Sequence, residues 1–364
     1  MLGVGQWPFV DDWAIAASRF SEVIGITVDG RHPKYPGRFP TVATPPPPSW
    51  PKRLRMSRLN AYRRSKDLIA AVREVQTSYG PIDLLHSHFY AASVGVPRAC
   101  AALGIPFVHT EHSSWILRTD PSRSISPAGM RNLRRLARAA KRVLFVSKGL
   151  MDSTRALKVD GRFEVLGNPV DASLFWPAPR RAHNKSVRLI SVGYLTPIKN
   201  HALLLDSFAQ TNLPVGSSLH IIGRGSERRN LERYAESLGI RHHVVFDGYL
   251  PRSEVAEQLR QSDLYVHSAN AETFGVAVLE ALFSGLPVVT TRFGGILESM
   301  PPSAPVFTCD STPEALAAGI DLAANRARGL RSSMISAKAK EHFSADSVAL
   351  RLEEIYASAV HETR

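Results

Sequence analysis

Residues 263–295 read DLYVHSANAETFGVAVLEALFSGLPVVTTRFGG, and no other stretch restricts the fold so tightly. Asp263 to His267 has the apolar, β-branched and aromatic make-up of a buried strand. A loop from Ser268 to Thr273 leads into an apolar segment predicted to be helical from Phe274 to Ser284. Gly285 suits the position just beyond a helix, where left-handed backbone favours glycine. Pro287 cannot continue the helix, and Val288-Val289-Thr290 reads as the next strand. A strand, a helix and a second strand in this order make a parallel pair, so the chain is an α/β protein. A helix start after a strand attracts an anion, because its leading N–H groups are unpaired and carry a partial positive charge. Glu272 stands at that helix mouth and Glu280 inside the helix. Two carboxylates beside a phosphate site suit the hydroxyls on either side of a diphosphate, which points to a nucleotide joined to a sugar.

The same arrangement recurs along the chain. Strands are predicted at Val23–Val28, Ile82–His86, Pro106–Thr110, Val143–Val146, Phe163–Leu166, Val187–Val192, Leu219–Ile222 and Val244–Phe246. Helices are predicted at Asp11–Phe20, from Leu59 onward with Leu59, Tyr62, Leu68, Ile69 and Val72 as its apolar set, and at 227–238, 253–260, 313–326, 330–341 and 345–360. Polar or glycine-bearing turns follow several strand ends: His112, Gly193, Gly223 with Arg224, Gly248 with Tyr249 and Leu250, and Glu272. Open parallel sheets bind ligands at the carboxyl ends of their strands. His86 and His88 stand two residues apart, but no further cluster of Cys, His or acidic residues supports a metal, so none is expected.

The string Glu272-x-Phe274-Gly275-x4-Glu280-Ala281, with Gly285-x-Pro287-Val288 and Gly294-Gly295, resembles the donor-site signature of the family 4 retaining glycosyltransferases. The resemblance is strong from about 187 to 298 and looser before it. It implies the GT-B fold: two Rossmann-like domains facing each other across a cleft, with a C-terminal helix crossing back to the first. It also implies a nucleoside diphosphate sugar as co-substrate, no metal and no other cofactor. On this resemblance Glu272 holds sugar hydroxyls and Glu280 ribose hydroxyls. Backbone N–H groups around Val276 and Ala277, with Lys199, meet the departing pyrophosphate, and His112 orients the sugar. Gly193, Gly223, Arg224, Tyr249, Leu250, Phe274 and Gly275 complete the expected donor site. The family pattern has Gly-Arg-Leu before the lysine, whereas this chain has Gly193-Tyr194-Leu195. A phenol carries no charge at neutral pH, so one of the two usual cations is missing.

The domains expected are 1–178 on the acceptor side, 186–342 for the donor, and 343–364 as the returning helix, with Pro177 to Lys185 as the linker between the first two. Gly3 and Gly5 stand where such enzymes carry a glycine loop, although a plain turn fits them as well. Only Met1 to Val4 is left for a first strand, so either that strand is very short or the start lies too far downstream. Pro45 to Pro48 forms a stiff linker or surface lid.

Charge adds one thing. Residues 1–180 hold 26 Lys and Arg against 13 Asp and Glu, while residues 181–364 hold 19 of each, so the net +13 lies in the first half. Residues 52–75 carry Arg58, Arg63, Arg64 and Lys66, and residues 131–142 carry Arg131, Arg134, Arg135, Arg138, Lys141 and Arg142. Both segments fit a surface docked on anionic lipid, or simply a solvated basic face. Bases are not stacked by such a pattern, which lacks interleaved aromatics, so nucleic acid is not an expected partner. Two distant cysteines, no leader-like start and no apolar run of about 20 residues give a cytoplasmic protein as the expectation, docked on the inner face of the plasma membrane if the basic faces do bind lipid. The expected reaction is sugar transfer to a glycan or lipid-linked acceptor in envelope or exopolysaccharide synthesis. A nucleotide-sugar-binding protein without transfer activity and a sugar-nucleotide epimerase are the alternatives.

Overall fold

The structure is a computed structural model that describes residues 9–27, 39–44, 58–117, 125–178, 186–300, 303–327 and 329–362. The expectations for Gly3 and Gly5, a first strand at 1–4, the 45–48 segment and most of the 177–185 linker lie outside these residues. The chain forms two compact units, 1–169 with 345–364, and 170–344.

In the first unit a four-stranded parallel sheet runs β3 (Leu85–His88), β4 (Phe107–Glu111), β5 (Arg142–Phe145), β6 (Phe163–Val165). A smaller parallel pair, β1 (Gly25–Thr27) and β2 (Thr41–Ala43), lies alongside in sequence. The predicted strand at 23–28 is thus shorter, and β2 had no clear period-2 signal. Strands β3 (LHSH) and β4 (FVHTE) are buried along their whole length, as parallel strands covered on both faces are, and they carry polar side chains into that interior. Helix α1 (Phe9–Ala17) packs against the last helix, α12 (Ala345–His361). Its Trp13 is fully buried and donates from Nε1 to Asn168 Oδ1 at 2.8 Å.

Two basic segments resolve differently from the expectation. In α2 (Arg58–Tyr79) the core stripe is Ala61, Leu68, Val72 and Val75. Leu59 and Tyr62 point outward, at 63% and 39% exposure, rather than into the core. Tyr62 lies under two cations, Lys66 at 4.8 Å and Arg98 at 4.5 Å from the ring centroid. In α4 (Pro127–Ala139), Leu133, Leu136 and Ala137 are buried, so Arg131, Arg135 and Arg138 share the outer face. Arg134 and Arg142 do not join that face. Arg134 donates to Leu157 O at 3.1 Å, and Arg142 is held by Glu164 and Glu362 at 3.1 and 2.8 Å.

The second unit is a six-stranded parallel sheet in the order β12-β11-β10-β7-β8-β9. The strands are β7 (Arg188–Val192), β8 (Ser218–Ile222), β9 (Val244–Gly248), β10 (Leu264–His267), β11 (Val288–Thr291) and β12 (Val306–Cys309). Counted from β7 this is the doubly wound 3-2-1-4-5-6 pattern, whose order reverses between β7 and β10. Leu204, Leu205, Ile221, Val266, Leu316 and Ile320 form its fully buried core. The unit boundary falls after Pro169 rather than in the 177–185 linker. Val170 donates to Phe343 O at 2.9 Å and Phe175 is fully buried, so this segment is part of the second unit's fabric.

Candidate active site

The sheet reversal puts the loops after β7 and β10 side by side. The β7 loop passes through Gly193, Tyr194 and Leu195 into a 3-10 turn, Pro197–Lys199. Asn200 then takes a left-handed conformation, φ +49°, and caps helix α6 (His201–Ala209) by accepting from Leu203 N. The β10 loop is tied to it by three bonds. Asn270 N donates to Ile198 O at 2.9 Å, Asn200 Nδ2 to Asn270 Oδ1 at 3.0 Å, and Ser268 Oγ to Lys199 O at 3.1 Å. Here Lys199 Nζ and Glu272 Oε1 are in direct contact. Neither side chain is well exposed, at 20% and 14%. Burial works against the charged form of Glu272, but the Lys199 ammonium and His267 outweigh it and hold the carboxyl at about 2.

Glu272 leads into helix α9, which spans Val276–Phe283 and not the predicted 274–284. Gly275 ends the loop at φ +97°, a conformation strained for any residue with a Cβ, so the helix begins after it. Phe274 is buried, and its carbonyl accepts from Ile296 N at 2.7 Å, which seats the Gly294-Gly295 turn against the helix start. No side chain among the described residues caps α9, and Val276 and Ala277 are half-buried at its first turn. Gly285 takes the left-handed φ of +81° expected beyond the last turn.

Glu280 faces inward at 8% exposure. Arg252, the first residue of helix α8 (Arg252–Arg260), donates from Nε to Glu280 Oε1 at 2.8 Å, and its guanidinium lies 4.9 Å from the Phe175 ring centroid. Arg252 and Phe175 escaped the sequence reading because a contact between residues 28 apart leaves no local periodicity.

Gly193, Gly223 and Gly248 sit together at the ends of β7, β8 and β9. Gly223 N donates to Gly248 O at 2.7 Å, and Gly193 N to Ile222 O at 3.0 Å. A Cβ on Gly223 would lie 1.8 Å from Gly193 O, so backbone packing alone demands glycine. Arg224 lies over the half-exposed Tyr249 ring, 5.0 Å from its centroid, with Leu250 next to it in the chain. Tyr194 is 49% exposed.

His112 belongs to the first unit, just past β4, and is 6% exposed. It joins a buried group of imidazoles instead of standing alone at a strand end. His88 Nδ1 is 3.0 Å from His112 Nε2, and His86 stacks on His88 with centroids 4.4 Å apart. Burial pushes His112 down to about 3, so the ring is neutral at physiological pH. Glu111 underpins the turn by accepting from the N–H groups of His112 and Ser113 at 2.9 and 2.8 Å. Among the described residues no cluster of His, Cys, Asp or Glu is arranged to hold a metal ion.

The comparisons with known proteins agree with this architecture. The Glycosyltransferase Family 4 model matches residues 16–174, and the model for Glycosyl transferases group 1 matches 175–341. Among curated relatives, mannosylfructose-phosphate synthase of Agrobacterium fabrum is 24% identical over 263 residues, covering 63% of this chain. The match spans only 58% of that relative's own length. Sucrose-phosphate synthase from Thermosynechococcus elongatus superposes with a TM-score of 0.80 at 16% identity, covering 99% of this chain and 98% of that one. HepE of Anabaena, in complex with UDP and glucose, gives 0.76 at 19% identity, with 98% of each chain covered. The fold is GT-B, and the chain belongs to the family 4 glycosyltransferases, the glycosyl transferases group 1.

Proposed function

We propose that the chain is a retaining glycosyltransferase that moves a sugar from a nucleoside diphosphate sugar to a glycan or lipid-linked acceptor. The observation that carries this is the Lys199–Glu272 pair, set at the sheet reversal beside the uncapped start of α9. An ammonium and a helix start together favour a diphosphate, and they act where negative charge grows on the leaving group. Glu272 is then free to accept hydrogen bonds from sugar hydroxyls. Glu280, held by Arg252, is placed to accept from ribose hydroxyls. Backbone N–H groups of Val276 and Ala277 complete the anion site, and His112 acts on the sugar as a neutral hydrogen-bonding ring. Gly193, Gly223 and Arg224 with Tyr249 and Leu250 bound the nucleotide. That a neighbour of the same fold holds UDP and glucose makes uridine diphosphate sugars the first donors to try. Leaving-group charge is met by protein groups, so no metal is required. The exposed row Arg131, Arg135 and Arg138 supports docking on the anionic inner leaflet, in envelope or exopolysaccharide synthesis.

The test is sugar transfer and donor hydrolysis with UDP-, GDP- and ADP-sugars, for the wild type, Glu272→Ala and Lys199→Ala. Loss of both activities in both variants is expected. Unchanged rates at saturating acceptor refute this site, and donor binding without turnover on any acceptor points instead to a binding protein.

A further inference from the structure

Phe89, the first residue after β3, has a backbone φ of +60°. That left-handed region suits glycine or asparagine, and a bulky aromatic residue takes it only where its surroundings force it to. Bonds on either side of the residue supply the force. Phe89 N donates to Thr110 O at 3.1 Å, which extends the β3–β4 ladder by one residue. Its carbonyl accepts from Ala92 N and Ser93 N, both at 3.1 Å, so the chain turns at once. The next residue, Tyr90, donates from its N–H to Glu111 Oε2 at 3.1 Å. The other oxygen of that carboxylate is the one that accepts from His112 N and Ser113 N. One fully buried carboxylate thus ties the loop after β3 to the turn after β4.

The turn brings the Phe89 ring against His112, with centroids 4.9 Å apart and planes at 38°. His88 stacks on the same imidazole at 5.3 Å and 26°, and the Trp13 ring meets it edge-on at 6.3 Å. His88 and Trp13 are fully buried and belong to the core of the unit. Phe89 is half-buried, and of the three it alone is delivered by a strained backbone. Glycine at this position would make the same turn without strain, but it would leave His112 without this neighbour. A neutral imidazole acts through a directed hydrogen bond and not through charge, so its aim decides what it can do.

We propose that Phe89 is a positioning residue for sugar transfer: its ring, held by the strained turn, fixes the direction in which His112 offers its hydrogen bond to the sugar. Phe89 acts through His112 and touches neither the diphosphate nor the base. Loosening the imidazole therefore leaves donor binding in place and slows the chemical step, because alignment at the reacting sugar is what is lost. The inference rests on the assignment of His112 to the sugar in the donor reading.

The full chain is to be compared with Phe89→Tyr, Phe89→Ala and Phe89→Gly. Neither Ala nor Gly carries a ring, but only Gly relieves the left-handed backbone, so Phe89→Gly is expected to melt above Phe89→Ala. With UDP-glucose, GDP-mannose and ADP-glucose as donors, kcat for donor hydrolysis should fall about ten-fold or more in both, with KM and the calorimetric donor Kd within about two-fold of wild type. Phe89→Tyr keeps the ring and should retain at least about half of the wild-type kcat. In proton spectra of histidine-labelled protein, the His112 Hε1 signal is identified by its loss in His112→Gln. It should be single and sharp in the wild type and Phe89→Tyr, and shifted and broadened in Phe89→Gly. A Phe89→Gly variant that keeps wild-type kcat, loses donor affinity as well, or leaves the His112 signal unmoved overturns this inference and leaves the donor reading standing. So does Phe89→Ala melting as high as Phe89→Gly, which would mean that the turn stores no strain. If the wild type turns over none of the three sugar nucleotides, both fall.

Discussion

Replacing Lys199 with Met tests how the site stores charge. Met keeps the side-chain stem and removes the ammonium. Holding the Glu272 carboxyl at about 2 instead of its ordinary 4.5 corresponds to about 3 kcal/mol of stability at neutral pH. Glu272 is 14% exposed, so solvent screens little of this. Part of the stabilisation comes from His267, which the substitution leaves in place. A loss of about 2–4 kcal/mol is expected, overlapping the low end of the range for removing one partner of a buried pair. The sign with pH follows from the direction of the shift. A depressed carboxyl contributes fully above 4.5 and loses that contribution as pH falls toward about 2. The gap between wild type and Lys199→Met should therefore be widest at neutral pH and narrow below 4.5. Adding Glu272→Gln removes the stranded charge and should recover at least half of the loss. Because two units of this size do not guarantee two-state unfolding, the measurement should be local: hydrogen exchange of peptides covering β7, β10 and α9, read as opening free energies. A loss under about 1 kcal/mol at neutral pH, or one that is the same near pH 3.5, would refute the reasoning.

Three further outcomes are expected. Gly223→Ala places a Cβ 1.8 Å from the Gly193 carbonyl at φ +150°, and should cost more than about 3 kcal/mol, seen as a lower melting temperature and weaker donor binding. Arg252→Leu leaves Glu280 buried without its guanidinium, and should cost about 2–4 kcal/mol and raise the donor Kd; Arg252→Leu with Glu280→Gln should regain stability but not affinity. Replacing Arg131, Arg135 and Arg138 together by Ser should abolish retention on anionic liposomes at low salt while leaving melting unchanged; retention equal to wild type would dismiss lipid docking by α4.

The α/β class was legible because buried parallel strands betray themselves as short apolar runs closed by glycine or proline. The 263–295 stretch showed a strand, a loop, a helix and a strand in order, and errors there were at the ends. Helix α9 starts at Val276 because a left-handed Gly275 cannot be its first turn, a detail of φ rather than of hydropathy. Strand β12 passed unnoticed because it is four residues at a sheet edge, three half-buried and Thr308 exposed, next to proline and serine. Helix α3 (Val96–Leu103) hid behind Pro97, which sits harmlessly in its first turn. Leu59 was misplaced because apolar character fixes a helical period but not which flank of the stripe faces inward. The donor loops were visible as motifs, yet the groups that hold them were not. Arg252, Phe175 and His267 act through space on residues named by the motif, and only the folded sheet brings them together. The imidazole group around His112 illustrates the same limit: His86, His88 and His112, three separate histidines in the chain, become one buried stack only when β3 and β4 pair in register.

The first unit is assembled from two ends of the chain. Its sheet and α1 come from residues before 170, but α12, which packs on α1 and is pinned through Arg142 and Glu362, is translated after the whole of the second unit. The second unit is continuous. On the ribosome, therefore, the second unit can complete its core first, while the earlier-encoded unit must wait with an uncovered face until α12 emerges. Mutations that loosen the α12 contact should thus show up as lost yield during synthesis well before they show up as lost activity in the purified protein.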